Sequence, residues 1–119
     1  YPKDDTETCT REAVAFSEAQ SQFTRKGAAI LGVSRDSLAD HKAFTAKYKL
    51  KVRLGADEDG TVCNAFGVWQ EKQLYGNRFM GIVRSTFLID PEGVIRQVWR
   101  NVRVPGHAER VEGELEAIR

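Results

Sequence analysis

The chain reads as a layered α/β domain, a mixed β-sheet flanked by helices. Three observations point there. Helical and strand-like patterns alternate through the earlier part of the chain in the order α, β, α, β, α. A β-hairpin and a last helix follow, so parallel pairing suits the early strands and antiparallel pairing the late ones. The 119 residues, 41% apolar and 29% charged, suit one core-forming domain and exclude a disordered or fibrous chain.

Tyr1-Pro2-Lys3-Asp4-Asp5 has the character of a strand exit turning into a loop, because proline fixes φ and holds the residue before it extended. The expectation is that strands of the same domain precede Tyr1. Thr6 to Arg25 predicts a helix, with Thr6 as N-cap, Ala13, Phe16, Ala19 and Phe23 at helical spacing, and Gly27 past its end. Residues 28–34 are mostly apolar and predict a short strand buried on both faces. Ser37 to Tyr48 predicts a second helix whose stripe is Leu38, His41, Phe44, Thr45 and Tyr48. A short strand is expected over Val52–Ala56, and Asp57-Glu58-Asp59-Gly60 is turn chemistry.

Thr61 to Phe66 predicts a short helix carrying Cys63 and stopped by Gly67, and the polar stretch from Gln70 to Met80 predicts a long surface loop. Val83–Ile89 and Val94–Val102 form the hairpin, joined by Asp90-Pro91-Glu92-Gly93 with Pro91 placed for a type I turn. Gly106 to Arg119 closes the chain as a helix with Val111, Leu115 and Ile118 inward. That makes four strands and four helices.

Charge and cysteine usage narrow the function. Eighteen basic against 17 acidic residues leave a net charge of +1, no electrostatic footprint for nucleic acid or an anionic membrane. No apolar run approaches the roughly 20 residues of a membrane span, and no signal-peptide pattern is present. Two cysteines make no disulfide framework, so a reducing, cytoplasmic setting is expected. Cys9, Cys63, His41 and His107 lie far apart and form no zinc-ligand spacing.

The chemistry concentrates at Cys9, in the first turn of the first helix. Free N–H groups and the positive dipole end of a helix favour an anion there, and a thiolate is such an anion. At an ordinary thiol pKa near 8.5 roughly 3% is ionised at pH 7, whereas at about 6 roughly 90% is. That difference is on the order of 3.4 kcal/mol, more than an exposed helix dipole supplies, so a hydroxyl and a cation are needed nearby. Thr6, one turn earlier, supplies the hydroxyl. The blander explanation, a small apolar core residue, fits the polar neighbours Thr8, Thr10 and Arg11 poorly.

Pro2, Thr6 and Cys9 reproduce the P-x-x-x-T-x-x-C motif of peroxiredoxins. The wider Tyr1–Thr6 run, Cys9-Thr10 and Glu12, together with Phe66-Gly67-Val68-Trp69, Arg84-Ser85-Thr86-Phe87 and Val104-Pro105-Gly106-His107, resemble the bacterioferritin comigratory protein (peroxiredoxin Q) branch. The resemblance runs over essentially the whole chain. It implies a thioredoxin-like three-layer sandwich, residues 1–119 forming one peroxiredoxin domain without its N-terminal strands. It implies a thiol-dependent peroxidase reducing hydrogen peroxide and alkyl hydroperoxides, active in antioxidant defence and redox homeostasis. In it Cys9 corresponds to the peroxidatic nucleophile, Thr6 to the hydroxyl at thiolate and peroxide, Pro2 to a shield over the pocket, and Arg84 to the missing cation. Glu12 falls on an acidic position, although a first-turn helix acid explains it equally. The implied partners are peroxides and an external reductant, thioredoxin, glutaredoxin or a small thiol, with no metal or organic cofactor required and the chain a monomer or weak homodimer.

The sequence departs from the family at Glu7-Thr8, where Pro-Gly is common, and at both usual resolving positions, which here are Val14 and Thr45. Cys63 is the remaining internal candidate for resolution, though its apolar neighbours Val62 and Phe66 favour a buried, inert thiol. His41 is expected to be packed, and His107 to face solvent or cap the last helix. The rival readings are a thioredoxin-like electron carrier, against which the lack of C-x-x-C speaks, and a catalytically silent binding domain or redox sensor.

Overall fold

A computed structural model describes residues 1–118 of the chain. Its elements are α1 (Glu7–Arg25), β1 (Leu31–Ser34), α2 (Leu38–Tyr48), β2 (Arg53–Ala56), α3 (Thr61–Ala65), β3 (Trp69–Leu74), β4 (Asn77–Ile82), β5 (Ser85–Ile89), β6 (Ile95–Arg100) and α4 (His107–Ile118). The molecule is α/β as expected, with six strands among the described residues rather than four. Arg119, expected in the last helix, lies outside them.

The strands pair as three two-stranded ladders, not as one continuous sheet: β1 with β2 in parallel, and β3 with β4 and β5 with β6 antiparallel. Along the flank of β1 lies the extended start of the chain, where the Tyr1 amine donates to the Val33 carbonyl at 2.8 Å. The first strand is shorter than residues 28–34 and is not buried on both faces, since Leu31 is 63% exposed.

The expected surface loop over residues 70–80 is instead the β3–β4 hairpin, closed by Tyr75 and Gly76 with φ of 49° and 80°. Two successive positive φ values give the turn whose twist matches paired strands. The polar side chains that suggested a loop belong to a ladder exposed along most of its length.

Two clusters form the core. Phe23, Leu88, Val111 and Leu115 join α1, β5 and α4, with Phe16, Ile30 and Trp99 packed against them. Cys63, Val68 and Ile82 join α3 to the hairpin, against Phe66, Trp69 and Phe87. The predicted helical stripes thus face inward on α1 and α4, while on α2 His41 and Phe44 are buried but Leu38 is exposed.

His107 corrects a second expectation. It neither faces solvent nor caps α4; it is 2% exposed, with Nε2 at 2.8 Å from the Thr86 hydroxyl and its ring edge-on to Phe16 and Trp99. Burial, with Arg110 and Arg84 adding to it and Glu12 opposing, lowers its pKa and favours the neutral ring. No helix among the described residues is long and apolar enough to cross a membrane.

Candidate active site

Cys9 sits where the sequence places it, in the first turn of α1, but it is only 2% exposed. The helix begins at Thr6, whose extended φ and ψ of −89° and 156° are those of an N-cap residue. Its side chain nevertheless caps nothing. The Thr6 hydroxyl donates to the Lys3 carbonyl at 2.9 Å, and no hydrogen bond joins it to the Cys9 sulfur. The first helical hydrogen bond runs from Thr10 N–H to the Thr6 carbonyl at 2.8 Å. The Cys9 amide therefore belongs to the initial N–H groups that a helix leaves without an internal acceptor.

The cation comes from the other end of the chain. Arg84 lies on the Val83-Arg84 link between β4 and β5, and that link is pinned on both sides. Val83 N–H donates to the Val68 carbonyl at 2.8 Å, and Val102 N–H to the Arg84 carbonyl at 3.0 Å. From this support the guanidinium reaches α1, with Nη2 donating to Cys9 Sγ at 3.2 Å and Nη1 to Glu12 Oε1 at 2.8 Å. Arg84 and Glu12 side chains are each 12% exposed, so the pair is largely shielded from water. Burial works against the charge on Arg84, but Cys9 and Glu12 outweigh it and raise the guanidinium pKa further. The sequence left Glu12 open between the motif's acidic position and an ordinary helix-start acid; here it holds one arm of the arginine that touches sulfur.

Pro2 is half-buried and lines, with Lys3, Trp69, Phe79, Met80 and Ile82, an open cavity of about 440 Å³ under the hairpin. Over its far side Arg35 stacks on Trp69 at 4.4 Å and donates to the Glu58 carbonyl at 2.9 Å.

Cys63 has a different environment. It is 3% exposed in α3, where the Asp57 carboxylate accepts from the N–H groups of Val62 at 3.0 Å and Cys63 at 2.7 Å. Burial first, then the Asp57 charge, push its thiol up to about 11. Both cysteines are free. Val14 is half-buried on α1, and Thr45 lines a groove on α2.

Sequence reasoning missed a polar cluster behind the active-site loop. His41 Nδ1 lies 2.6 Å from Asp4 Oδ2, its Nε2 lies 3.0 Å from the Gly55 carbonyl, and the Tyr1 hydroxyl donates to Asp4 Oδ1. Burial, then the bond to Asp4, raise the Tyr1 phenol pKa, so it keeps its proton. Asp36 Oδ2 accepts from Asp4 N–H at 2.9 Å and from the Ser34 hydroxyl at 2.5 Å. Asp4, Asp36 and His41 offer ligand atoms within 4.8 Å of one another, a possible metal cluster by distance. Those atoms already meet the protons of Tyr1, Ser34, His41 and the Asp4 amide, which makes this a hydrogen-bonded cluster. No sequence spacing signals it, since its members come from three separate segments.

Comparisons with known proteins agree with the geometry. A model of the AhpC/TSA family matches residues 1–98. Peroxiredoxin Bcp of Xanthomonas campestris pv. campestris is 48% identical over 98% of this chain and 73% of its own length. Peroxiredoxin Bcp of Bacillus subtilis is 44% identical over 90% of this chain and 68% of its own. A solved structure of the X. campestris bacterioferritin comigratory protein, described for its alkyl peroxide reduction activity, superposes with a TM-score of 0.94 at 47% identity, covering 99% of this chain and 75% of that one.

Proposed function

The chain belongs to the AhpC/TSA family, as a peroxiredoxin of the bacterioferritin comigratory protein (peroxiredoxin Q) branch, and on that footing we propose that Cys9 is the nucleophile with which it reduces peroxides. Its fold is thioredoxin-like and its activity is that of a thiol-dependent peroxidase, with peroxide as substrate and a thiol as reductant. The observation that carries the assignment of Cys9 is the Arg84 guanidinium donating to its sulfur while Glu12 holds the other arm. A cation at hydrogen-bond distance favours the thiolate, the form that attacks.

The reaction is a displacement at oxygen. The thiolate sulfur forms a bond to the terminal peroxide oxygen as the O–O bond breaks. The electron pair of that bond goes to the departing oxygen, which takes a proton and leaves as water or an alcohol. Sulfur is oxidised to sulfenic acid. Negative charge passes from sulfur to the leaving oxygen, and donors already aimed at that region need no rearrangement to follow it. Arg84 and the Cys9 N–H are such donors. The Thr6 hydroxyl donates its hydrogen bond to Lys3 O, which leaves its lone pairs to accept from the O–H of the incoming peroxide. Pro2, half-buried beside this loop, is the residue we assign to shielding the sulfur from water.

Recycling falls to an external thiol. The buried Cys63 is held protonated, and Val14 and Thr45 occupy the usual resolving positions. A thiol such as thioredoxin, glutaredoxin or a small thiol attacks the sulfenic sulfur, water leaves, and a second thiol releases Cys9 by exchange. The test is to add one equivalent of hydrogen peroxide and trap the product with dimedone. A sulfenic adduct at Cys9, absent in Cys9→Ser, is expected; adduct at Cys63 alone would overturn the assignment.

A further inference from the structure

We infer that His41 is a positioning residue for the peroxide reaction, acting through Asp4 to hold the loop that sets Cys9 against Arg84. The inference rests on Cys9 being the nucleophile.

His41 belongs to α2 and makes none of the contacts to the Cys9 sulfur, yet it is 2% exposed and bonded at both ring nitrogens. Nε2 faces the Gly55 carbonyl, which can only accept, so Nε2 carries a proton. Nδ1 faces the Asp4 carboxyl at 2.6 Å and the Tyr1 hydroxyl at 3.3 Å, both on the active-site loop. The ring therefore ties β2 on one side to the active-site loop on the other.

Asp4 is the residue through which the loop is held. Its side chain meets His41 and Tyr1, and its amide donates to Asp36 Oδ2. The next residue, Asp5, has φ of 58° and accepts from Lys47 Nζ at 2.8 Å and the Tyr48 hydroxyl at 2.7 Å. Between these ties the chain folds back far enough for the Thr6 hydroxyl to reach Lys3 O. Thr6 in turn starts α1, so the place of the first turn, and of Cys9 within it, follows from where Asp4 and Asp5 are anchored. The Asp5 tie is exposed and the Asp4 tie is buried, which makes the latter the more rigid of the two. A sulfur displaced by about 1 Å from its aligned donors can lose on the order of a hundredfold in rate.

Two isosteric substitutions separate the halves of the tie. An asparagine amide nitrogen stands where Nδ1 does, so His41→Asn keeps a donor for Asp4 and gives up Gly55. A glutamine amide nitrogen stands where Nε2 does, so His41→Gln keeps Gly55 and gives up Asp4. Cys9 sulfenic acid formation is followed by rapid mixing with hydrogen peroxide, and the thermal midpoint is measured alongside. The expected result is that His41→Asn stays within about threefold of the unsubstituted rate while His41→Gln falls about tenfold to a hundredfold, at similar thermal midpoints. Equal rates in the two variants, or a slower His41→Asn, would overturn the inference. If either variant fails to fold, Asp4→Asn and Asp4→Ala decide: the amide can still bridge Tyr1 and a neutral imidazole, whereas alanine cannot. An Asp4→Ala protein reacting at the unsubstituted rate would overturn the inference equally. Failure of the nucleophile assignment looks different, because the unsubstituted protein would then form no sulfenic acid at Cys9.

Discussion

Arg84 serves two partners at once, the Cys9 sulfur at 3.2 Å and the Glu12 carboxylate at 2.8 Å. Glu12 fixes the plane of the guanidinium, so that the remaining N–H points at sulfur without an entropic search. Arg84→Ala removes a donor aimed at the reacting atoms and should lower the second-order rate with hydrogen peroxide about 10²- to 10³-fold, read by stopped-flow oxidation of Cys9. Glu12→Gln keeps the hydrogen bond and gives a smaller loss than Arg84→Ala. The two thiols should also separate in a competition with a small alkylating reagent at neutral pH. Cys9 has the guanidinium, while burial and Asp57 push Cys63 up to about 11, so label should accumulate at Cys9 first. At this scale the Cys9–Arg84 contact was legible because helix-start chemistry asks for a cation beside Cys9 and the family resemblance supplies Arg84. Glu12's grip and the Asp4–His41 contact were not, because each is made by residues far apart in sequence whose types alone say nothing of distance.

At the scale of elements, the hairpin and α4 carry the clearest tests. Gly76 closes the β3–β4 turn at φ of 80°, and an added Cβ would meet nothing within 4 Å, so Gly76→Ala tests backbone strain alone. It should cost roughly 1–2 kcal/mol locally, seen as faster hydrogen exchange across the Glu71 and Met80 pair with α1 and α4 unchanged. The hairpin escaped sequence reading because it is exposed along most of both strands, which removes the alternation that normally marks a strand. The signal lay in the Tyr75-Gly76 dipeptide flanked by runs of equal length. The helices were readable from their inward stripes, yet His107 was misjudged because a histidine at a helix start gives no sign of whether its ring turns to core or to water. Its lowered pKa sets a pH dependence. The unfolded chain takes up the proton first as pH falls through about 6.5, so the stability this neutral ring maintains is present above that pH and lost below it. His107→Gln should flatten the fall in denaturation midpoint between about pH 7.5 and 5.5.

For the whole molecule, the α/β class and the order of helices were readable from periodicity, whereas the splitting of the strands into three ladders depends on long-range pairing that no local pattern encodes. Cys63 is packed in the α3–hairpin cluster with its thiol pushed up to about 11, which makes it a poor attacking thiol at neutral pH. Cys63→Ser should therefore leave peroxide turnover with an external dithiol nearly intact, and a non-reducing peptide map after one equivalent of peroxide should lack a Cys9–Cys63 crosslink. The 2% exposure of Cys9 makes the closed site a sieve by size. On the proposal that Cys9 is the nucleophile, a peroxide should reach it with less rearrangement than the sulfur of another protein, which is carried on its own backbone and should need the first turn of α1 to open. Oxidation should then stay first order in peroxide, while reduction by a protein thiol should reach a ceiling set by the opening rate of that turn. Small thiols should need less opening and so level off at higher concentration than a protein reductant does, a difference that stopped-flow reduction of the sulfenic form would read.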